Sequence, residues 1–156
     1  MTIEDDIAVL ERVPILRRLG VAALRILAIG AENRDLEPGQ VLFTAGEVAD
    51  CAYLVRRGSL ALQPVRAAER EVIAGPGTLL GESALLAETR RPATATAVDD
   101  ATVMRLPRSL FLKMLEGYPD AARRMHEVIA ARADQWAREM ENVRAALASP
   151  DKPSPR

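Results

Sequence analysis

Gly81-Glu82-Ser83-Ala84-Leu85-Leu86, continued by Ala87-Glu88-Thr89-Arg90 and then Arg91-Pro92-Ala93-Thr94-Ala95, is the stretch on which the reading of this chain turns. It runs from a glycine and a carboxylate, through a short apolar helical turn and a loop, to an arginine that leads into a strand. Gly81 has no Cβ and lets a ligand approach the backbone. A turn from Ser83 to Leu86 leaves N–H groups unpaired at its start, and these attract an anion. Arg91 offers a planar fork that can grip a phosphate with two hydrogen bonds. Glu82 can accept a hydrogen bond from a sugar hydroxyl, as acidic residues do with ribose in other folds. Together the parts suit a sugar phosphate. A surface ion pair between Glu82 and a turn arginine is the plainer alternative for the same residues.

The flanks set this stretch in a β-rich region. Across residues 32–107 the apolar segments are short and bounded by turn residues. Pro38-Gly39 fits a turn, with proline at the first central position and glycine where φ is positive. Val41-Leu42-Phe43, Tyr53-Leu54-Val55, Leu60-Ala61-Leu62, Glu71-Val72-Ile73, Thr94-Ala95-Thr96-Ala97 and Val103-Met104-Arg105-Leu106 follow one another as strands. Asp99-Asp100 reads as a hairpin turn. Short strands separated by Gly/Pro turns indicate a β-sandwich or barrel.

Helices bracket that region. Within residues 2–31, Thr2 and Asp5 form a capping pair ahead of Ile7, Leu10 and Val13. Pro14 ends this helix by forcing its predecessor out of helical geometry. Gly20 punctuates, and Val21 to Ile29 resumes helical spacing. Residues 108–148 are helical again. Ser109 caps a helix through Leu115, Gly117 closes it, and Pro119 opens a long final helix. Ala133, Trp136, Met140, Val143 and Leu147 form a coiled-coil-like seam on that helix. Residues 149–156 hold three prolines and read as a flexible tail. Residues 1–148 then form one domain.

Composition narrows the function classes. The 156 residues are 49% hydrophobic and 28% charged, which is a globular composition. Twenty-one Lys+Arg against 22 Asp+Glu leave a net charge of −1, so no basic footprint marks a non-specific nucleic-acid binder. A single cysteine, Cys51, permits no internal disulfide and suits a reducing compartment. One histidine and one cysteine give little material for a metal cluster or a Cys–His catalytic pair. No enzyme is expected. The N-terminus is acidic and no apolar run reaches the ~20 residues of a spanning helix, so a cytoplasmic protein without membrane contact is expected.

The order of these residues resembles the phosphate-binding cassette of the cyclic-nucleotide-binding domain family. That family includes the catabolite-activator type of bacterial regulators and the regulatory subunits of cAMP-dependent protein kinase. Gly39-Gln40-Val41-Leu42-Phe43-Thr44-Ala45-Gly46-Glu47 and Tyr53-Leu54-Val55-Arg56-Arg57-Gly58-Ser59-Leu60 resemble its first strands and turns, and Val13-Pro14-Ile15-Leu16 its N-terminal lead-in. The resemblance implies a mainly β fold, an antiparallel jelly-roll-like β-roll with N-terminal helices and a long C-terminal helix. It implies that Glu82 holds the ribose 2′-hydroxyl and that Arg91 pairs with the cyclic phosphate. Backbone N–H groups around Ser83 and Ala84 would complete the cradle, Gly81 would pack against the sugar, and the final helix would lie near the base.

One departure is informative. The residue after the clamp arginine in that family is normally Ala, Ser or Thr, whose N–H reaches the phosphate. This chain has Pro92, which has no N–H, followed by Ala93. Losing one such donor costs about 1–3 kcal/mol, roughly ten- to a hundredfold in affinity. Pro92 also lacks the hydroxyl that cGMP-selective members use, so cAMP is the expected ligand and its affinity should be low. Arg90 stands beside Arg91 as a second cation of unread direction. Trp136 could stack on an adenine, although an aromatic on that seam is more often core or dimer contact. His126 reads as structural, and Cys51 as a half-buried thiol at a turn.

Only about ten residues follow the last helix, so no recognition helix and no DNA binding are expected. Two function classes remain. One is a homodimeric sensor of a cyclic nucleotide, joined through the C-terminal helix and acting in trans on an unidentified protein partner. The other is a scaffold of the same fold whose pocket no longer holds nucleotide.

Overall fold

The computed structural model describes residues 2–65 and 70–148. Three helices lead the chain: α1 (Ile3–Glu11), α2 (Pro14–Arg17) and α3 (Val21–Gly30). Thr2 caps α1 in a reciprocal box, its hydroxyl accepting from the Asp5 N–H while the Asp5 carboxylate accepts from the Thr2 N–H, both at 3.1 Å. That backbone bond, followed by the hydroxyl contact, holds the Asp5 carboxyl below its ordinary value of 3.8. The cap is therefore fully stabilising above that value and fades as acid drives the pH through the lower folded one. Pro14 does break the helical run, and it also starts α2, where its missing donor is harmless.

Ten strands follow: β1 (Glu32–Leu36), β2 (Val41–Phe43), β3 (Val48–Ala49), β4 (Cys51–Arg57), β5 (Leu60–Pro64), β6 (Val72–Ala74), β7 (Leu79–Leu80), β8 (Thr89–Arg90), β9 (Ala93–Ala97) and β10 (Ala101–Pro107). One sheet has the order β1-β10-β4-β7, a second β2-β9-β5-β6, and β3 pairs with β8 in a short ribbon. All pairings are antiparallel. This is the antiparallel β-roll with flanking helices.

The inner strands β10 and β4 of the first sheet are buried on both faces, whereas the edge strand β1 is exposed up to Leu36. In β4 the pleat sends Cys51, Tyr53 and Val55 into the roll, and Ala52 and Leu54 toward the helices. Strand β10 does the same with Ala101 and Val103 against Met104 and Leu106. Two cores therefore share one sheet. The helical core adds Leu10, Leu16, Leu24, Leu27, Phe111 and Met114, all essentially inaccessible to solvent. Each such side chain stabilises the fold by about 1.5–3 kcal/mol. The second sheet is covered on one side only, and Val41, Val72 and Ile73 remain exposed on it.

Two expectations are corrected. Asp99-Asp100 is not a hairpin turn, because β9 and β10 lie in different sheets. It is the corner between them, and Asp99 Oδ1 accepts from the Ser59 N–H at 2.8 Å. Gly58 enters this corner with φ +74, and a Cβ there would lie 2.4 Å from the Asp100 carbonyl. Ser109 is not the cap of α4 (Arg108–Gly117); Pro107, still extended at the end of β10, precedes the first helical residue. The Arg108 N–H is instead satisfied by the Asp50 carbonyl at 2.8 Å. Helix α5 (Pro119–Ala148) follows directly. The side chains of Ala133, Trp136, Met140, Val143 and Leu147 lie outside the described residues. His126, expected to be structural, is exposed on α5.

One ion pair locks the helices to the roll. Arg56 of β4 donates to the carboxylate of Asp6 in α1 and, at 3.0 Å, to Asn33 Oδ1, and its side chain is 5% exposed. Arg56→Met should lower unfolding stability by about 3 kcal/mol, because it strands a buried carboxylate. The double variant Asp6→Leu/Arg56→Met should recover much of that loss in urea titrations. Equal midpoints for single and double variants would contradict the assignment.

Candidate functional site

The site is built around Arg91. Strand β8 runs beside β3, with Val48 opposite Arg90 and Ala49 opposite Thr89. The Arg91 N–H donates to the Glu47 carbonyl, and the Arg91 carbonyl accepts from the Gly46 N–H, both at 2.8 Å. The backbone is thus fixed, and the side chain turns into the roll, where the residue is 5% exposed.

The interior receives the guanidinium with aromatic faces and neutral acceptors. Its carbon sits 4.5 Å from the Phe43 ring centroid and 5.4 Å from that of Tyr53. The two rings stack at 5.9 Å. Ring faces carry negative charge density and attract a cation, the more so when water is excluded. Nη2 donates to the Cys51 carbonyl at 2.9 Å and contacts Cys51 Sγ at 3.2 Å. Burial pushes the Tyr53 phenol above its ordinary value, and its hydrogen bond with Cys51 adds to the shift. Tyr53 therefore stays neutral beside the guanidinium near neutral pH.

Arg91 Nη1 is buried and has no hydrogen-bond partner. A buried unsatisfied donor costs about 1–3 kcal/mol, and more when it is charged. This nitrogen lies against Gly81, where a Cβ would come within 2.5 Å of it. Gly81 has φ +73 and caps a 3-10 turn, Glu82–Leu85. The left-handed conformation and the close approach both require glycine. The turn's first N–H groups have no acceptor inside it. Ser83 is exposed at its start, while the buried Ala84 donates its own N–H to the Gly81 carbonyl at 3.0 Å. Glu82 is half-buried at the head of the turn. An oxyanion resting against Gly81 would meet Nη1 and the turn's opening together.

Of the residues singled out in the sequence, the structure brings Gly81 and Arg91 together and sets Glu82, Ser83 and Ala84 beside them in the turn that Gly81 opens. Exposed Pro92 and half-buried Ala93 follow at the start of β9. Arg90 is exposed, and its guanidinium donates to the Gly46 carbonyl at 2.9 Å, so it does not duplicate Arg91. Trp136 stands on α5 with its side chain outside the described residues. Cys51 is corrected: it is the first residue of β4, 1% exposed, and it forms the floor under Arg91. Phe43, Tyr53 and Arg108 were not expected at the site. In the sequence, residues 51–55 are an unbroken apolar run, the signal of a strand buried on both faces, which does not say which face holds the floor. Among the described residues no cluster of His, Cys, Asp or Glu is arranged to hold a metal, and no helix is long and apolar enough to cross a membrane.

A roll flanked by helices, with a buried cation facing a glycine-led turn, is an arrangement suited to a small anionic ligand. The family model described as "Cyclic nucleotide-binding domain" matches residues 33–118, and the chain belongs to that family. It is 33% identical over 110 residues to the Cyclic AMP receptor protein of Thermus thermophilus, covering 68% of this chain and 51% of the receptor. The chain therefore spans about half the length of that relative. A solved cyclic nucleotide-binding-like protein from Brucella abortus is 40% identical with TM-score 0.64, over 72% of this chain and 98% of that one. The regulatory domain of Toxoplasma gondii PKA, solved with cAMP, is 26% identical with TM-score 0.68, over 78% and 46%. The domain is of the regulatory, ligand-binding kind.

The glycines give a graded test. Gly39 has φ +85 with open space around it, whereas Gly58 meets backbone and Gly81 meets a side-chain end. Alanine at Gly39 should cost about 1 kcal/mol in urea titrations, the left-handed penalty alone, and alanine at Gly81 more, because its Cβ meets the buried Arg91 guanidinium. Gly58→Ala should cost clearly more. A Gly58→Ala midpoint no lower than that of Gly39→Ala would contradict the corner geometry.

Proposed function

We propose that the chain is a cAMP sensor, in which residues 1–148 act as one unit and report through the final helix. The observation that carries this reading is the buried Arg91 Nη1 without a partner, aimed at Gly81. The cyclic phosphate supplies the missing acceptor, and the start of the Glu82–Leu85 turn supplies further donors. Glu82 accepts from the ribose 2′-hydroxyl, and Gly81 lies against the sugar. Trp136 and its helix lie beside the base. Pro92 offers no hydroxyl to a guanine, which favours cAMP over cGMP. The name of the Thermus receptor and the cAMP in the Toxoplasma structure support this ligand class. The output passes in trans, from a cytoplasmic homodimer joined along α5, to a protein partner. Neither DNA nor membrane contact forms part of this reading.

The second reading is a scaffold with a disabled pocket, and Pro92 supports it by removing a phosphate donor. Calorimetry separates the two. Wild type should bind cAMP at micromolar concentrations or weaker. Arg91→Ala should lose ~2–4 kcal/mol of binding, since a charge-assisted fork in a desolvated site is removed. Glu82→Ala should lose less, and Pro92→Ala should gain. No heat from wild type and Pro92→Ala at millimolar cAMP would leave the scaffold.

The dimer has its own test. Sedimentation should give a dimer at tens of micromolar, and Met140→Glu should convert it to monomer by placing a charge on the seam. A wild-type monomer would remove this part of the reading.

A further inference from the structure

Arg108 is the first residue of α4 and makes three hydrogen bonds to three separate carbonyls. Its N–H donates to Asp50, Nε donates to Ala84 at 2.8 Å, and Nη2 donates to Ala49 at 2.5 Å. Ala84 belongs to the glycine-led turn. Ala49 ends β3, whose partner β8 leads into Arg91. Asp50 immediately precedes Cys51, which carries the Arg91 guanidinium. One residue on the helical side thus bonds to three of the segments around the cradle, to two through its side chain and to Asp50 through its backbone N–H.

We infer that Arg108 is the positioning residue of the cradle and its mechanical link to α4, an inference that rests on the ligand reading above. An apolar anchor also exists, since Leu85 is buried in the helical core with Phe111 and Met114. Packing of Leu85 fixes how deep the turn sits. Dispersion contacts are not directional, so they do not fix its rotation about that anchor. The Arg108 fork is directional and planar, and it sets the register of Ala84 against Ala49. A ligand that shifts the turn therefore pulls on the first residue of α4, which α5 follows after one residue.

The test compares wild type with Arg108→Met, which keeps the stem and removes the fork, and Arg108→Lys, which keeps one charged donor. Native-state hydrogen exchange of the unliganded proteins is read first. In Arg108→Met the amides of Ala84 and Leu86, which donate to Gly81 and Ser83, should exchange about tenfold faster relative to the amides of β4 and β10. Arg108→Lys should restore part of that protection. Calorimetry with cAMP should then show about a tenfold loss of affinity in Arg108→Met, partly recovered in Arg108→Lys. Unchanged relative exchange at Ala84 and Leu86 overturns the inference, as does an equal rise at every amide, which marks plain destabilisation. A wild type that gives no heat with cAMP defeats the ligand reading instead, while the exchange arm still decides whether Arg108 holds the turn.

Discussion

The structure depends on a guanidinium kept inside a β-roll with one of its donors unsatisfied. An arginine is rarely buried without a carboxylate, because removing its charge from water costs several kcal/mol. Arg91 has neutral contacts in place of an ion pair: two ring faces, a carbonyl and a thiol. These compensate Nη2 and the π face and leave Nη1 over. An anion that also accepts hydrogen bonds would complete the set, which is the basis of the proposed ligand reading. The roll buries the cation, so a ligand would meet a preformed site with little reorganisation.

The rest of the fold serves that arrangement. The shared sheet of β1, β10, β4 and β7 divides the molecule into a roll core and a helical core. Strand β4 carries both, with Cys51 and Tyr53 on the site side and Ala52 and Leu54 on the helix side. A displacement of β4 is therefore felt in both cores, as close packing transmits strain. The Arg56–Asp6 pair and the Arg108 fork add directional links between the same two halves. The cradle and the helices are thus joined both by packing and by directional hydrogen bonds.

Much of this was legible in the sequence, for reasons that differ by element. Helices bracketing a roll could be read because Thr2, Pro14, Gly20 and Pro119 act locally, through caps and missing donors. Gly81, Glu82 and Arg91 could be read because their order resembles the family's phosphate-binding cassette; taken as chemistry alone, the same residues fit a surface ion pair as plainly. The corner at Asp99-Asp100 was misread because a turn sequence does not state whether its strands share a sheet. Ser109 was misread as a cap because the helix starts one residue earlier, at Arg108, directly where β10 ends, and the position of a strand end is set by pairing across the sheet. Cys51 looked half-buried from its neighbours alone. Its true place, under an arginine 40 residues away, is a product of tertiary packing. Phe43 and Arg108 escaped notice for the same reason.

The central claim is that Arg91 Nη1 is the donor awaiting the ligand's phosphate. It is tested most directly by nitrogen-15 NMR of the arginine side chains, assigned with Arg91→Lys, during titration with cAMP and separately with adenosine. The account predicts that the Arg91 Nη1 protons shift downfield and become protected from exchange with cAMP, and that adenosine, which has no phosphate, leaves them in place. An unshifted Arg91 signal at saturating cAMP, or an equal shift with adenosine, would contradict it.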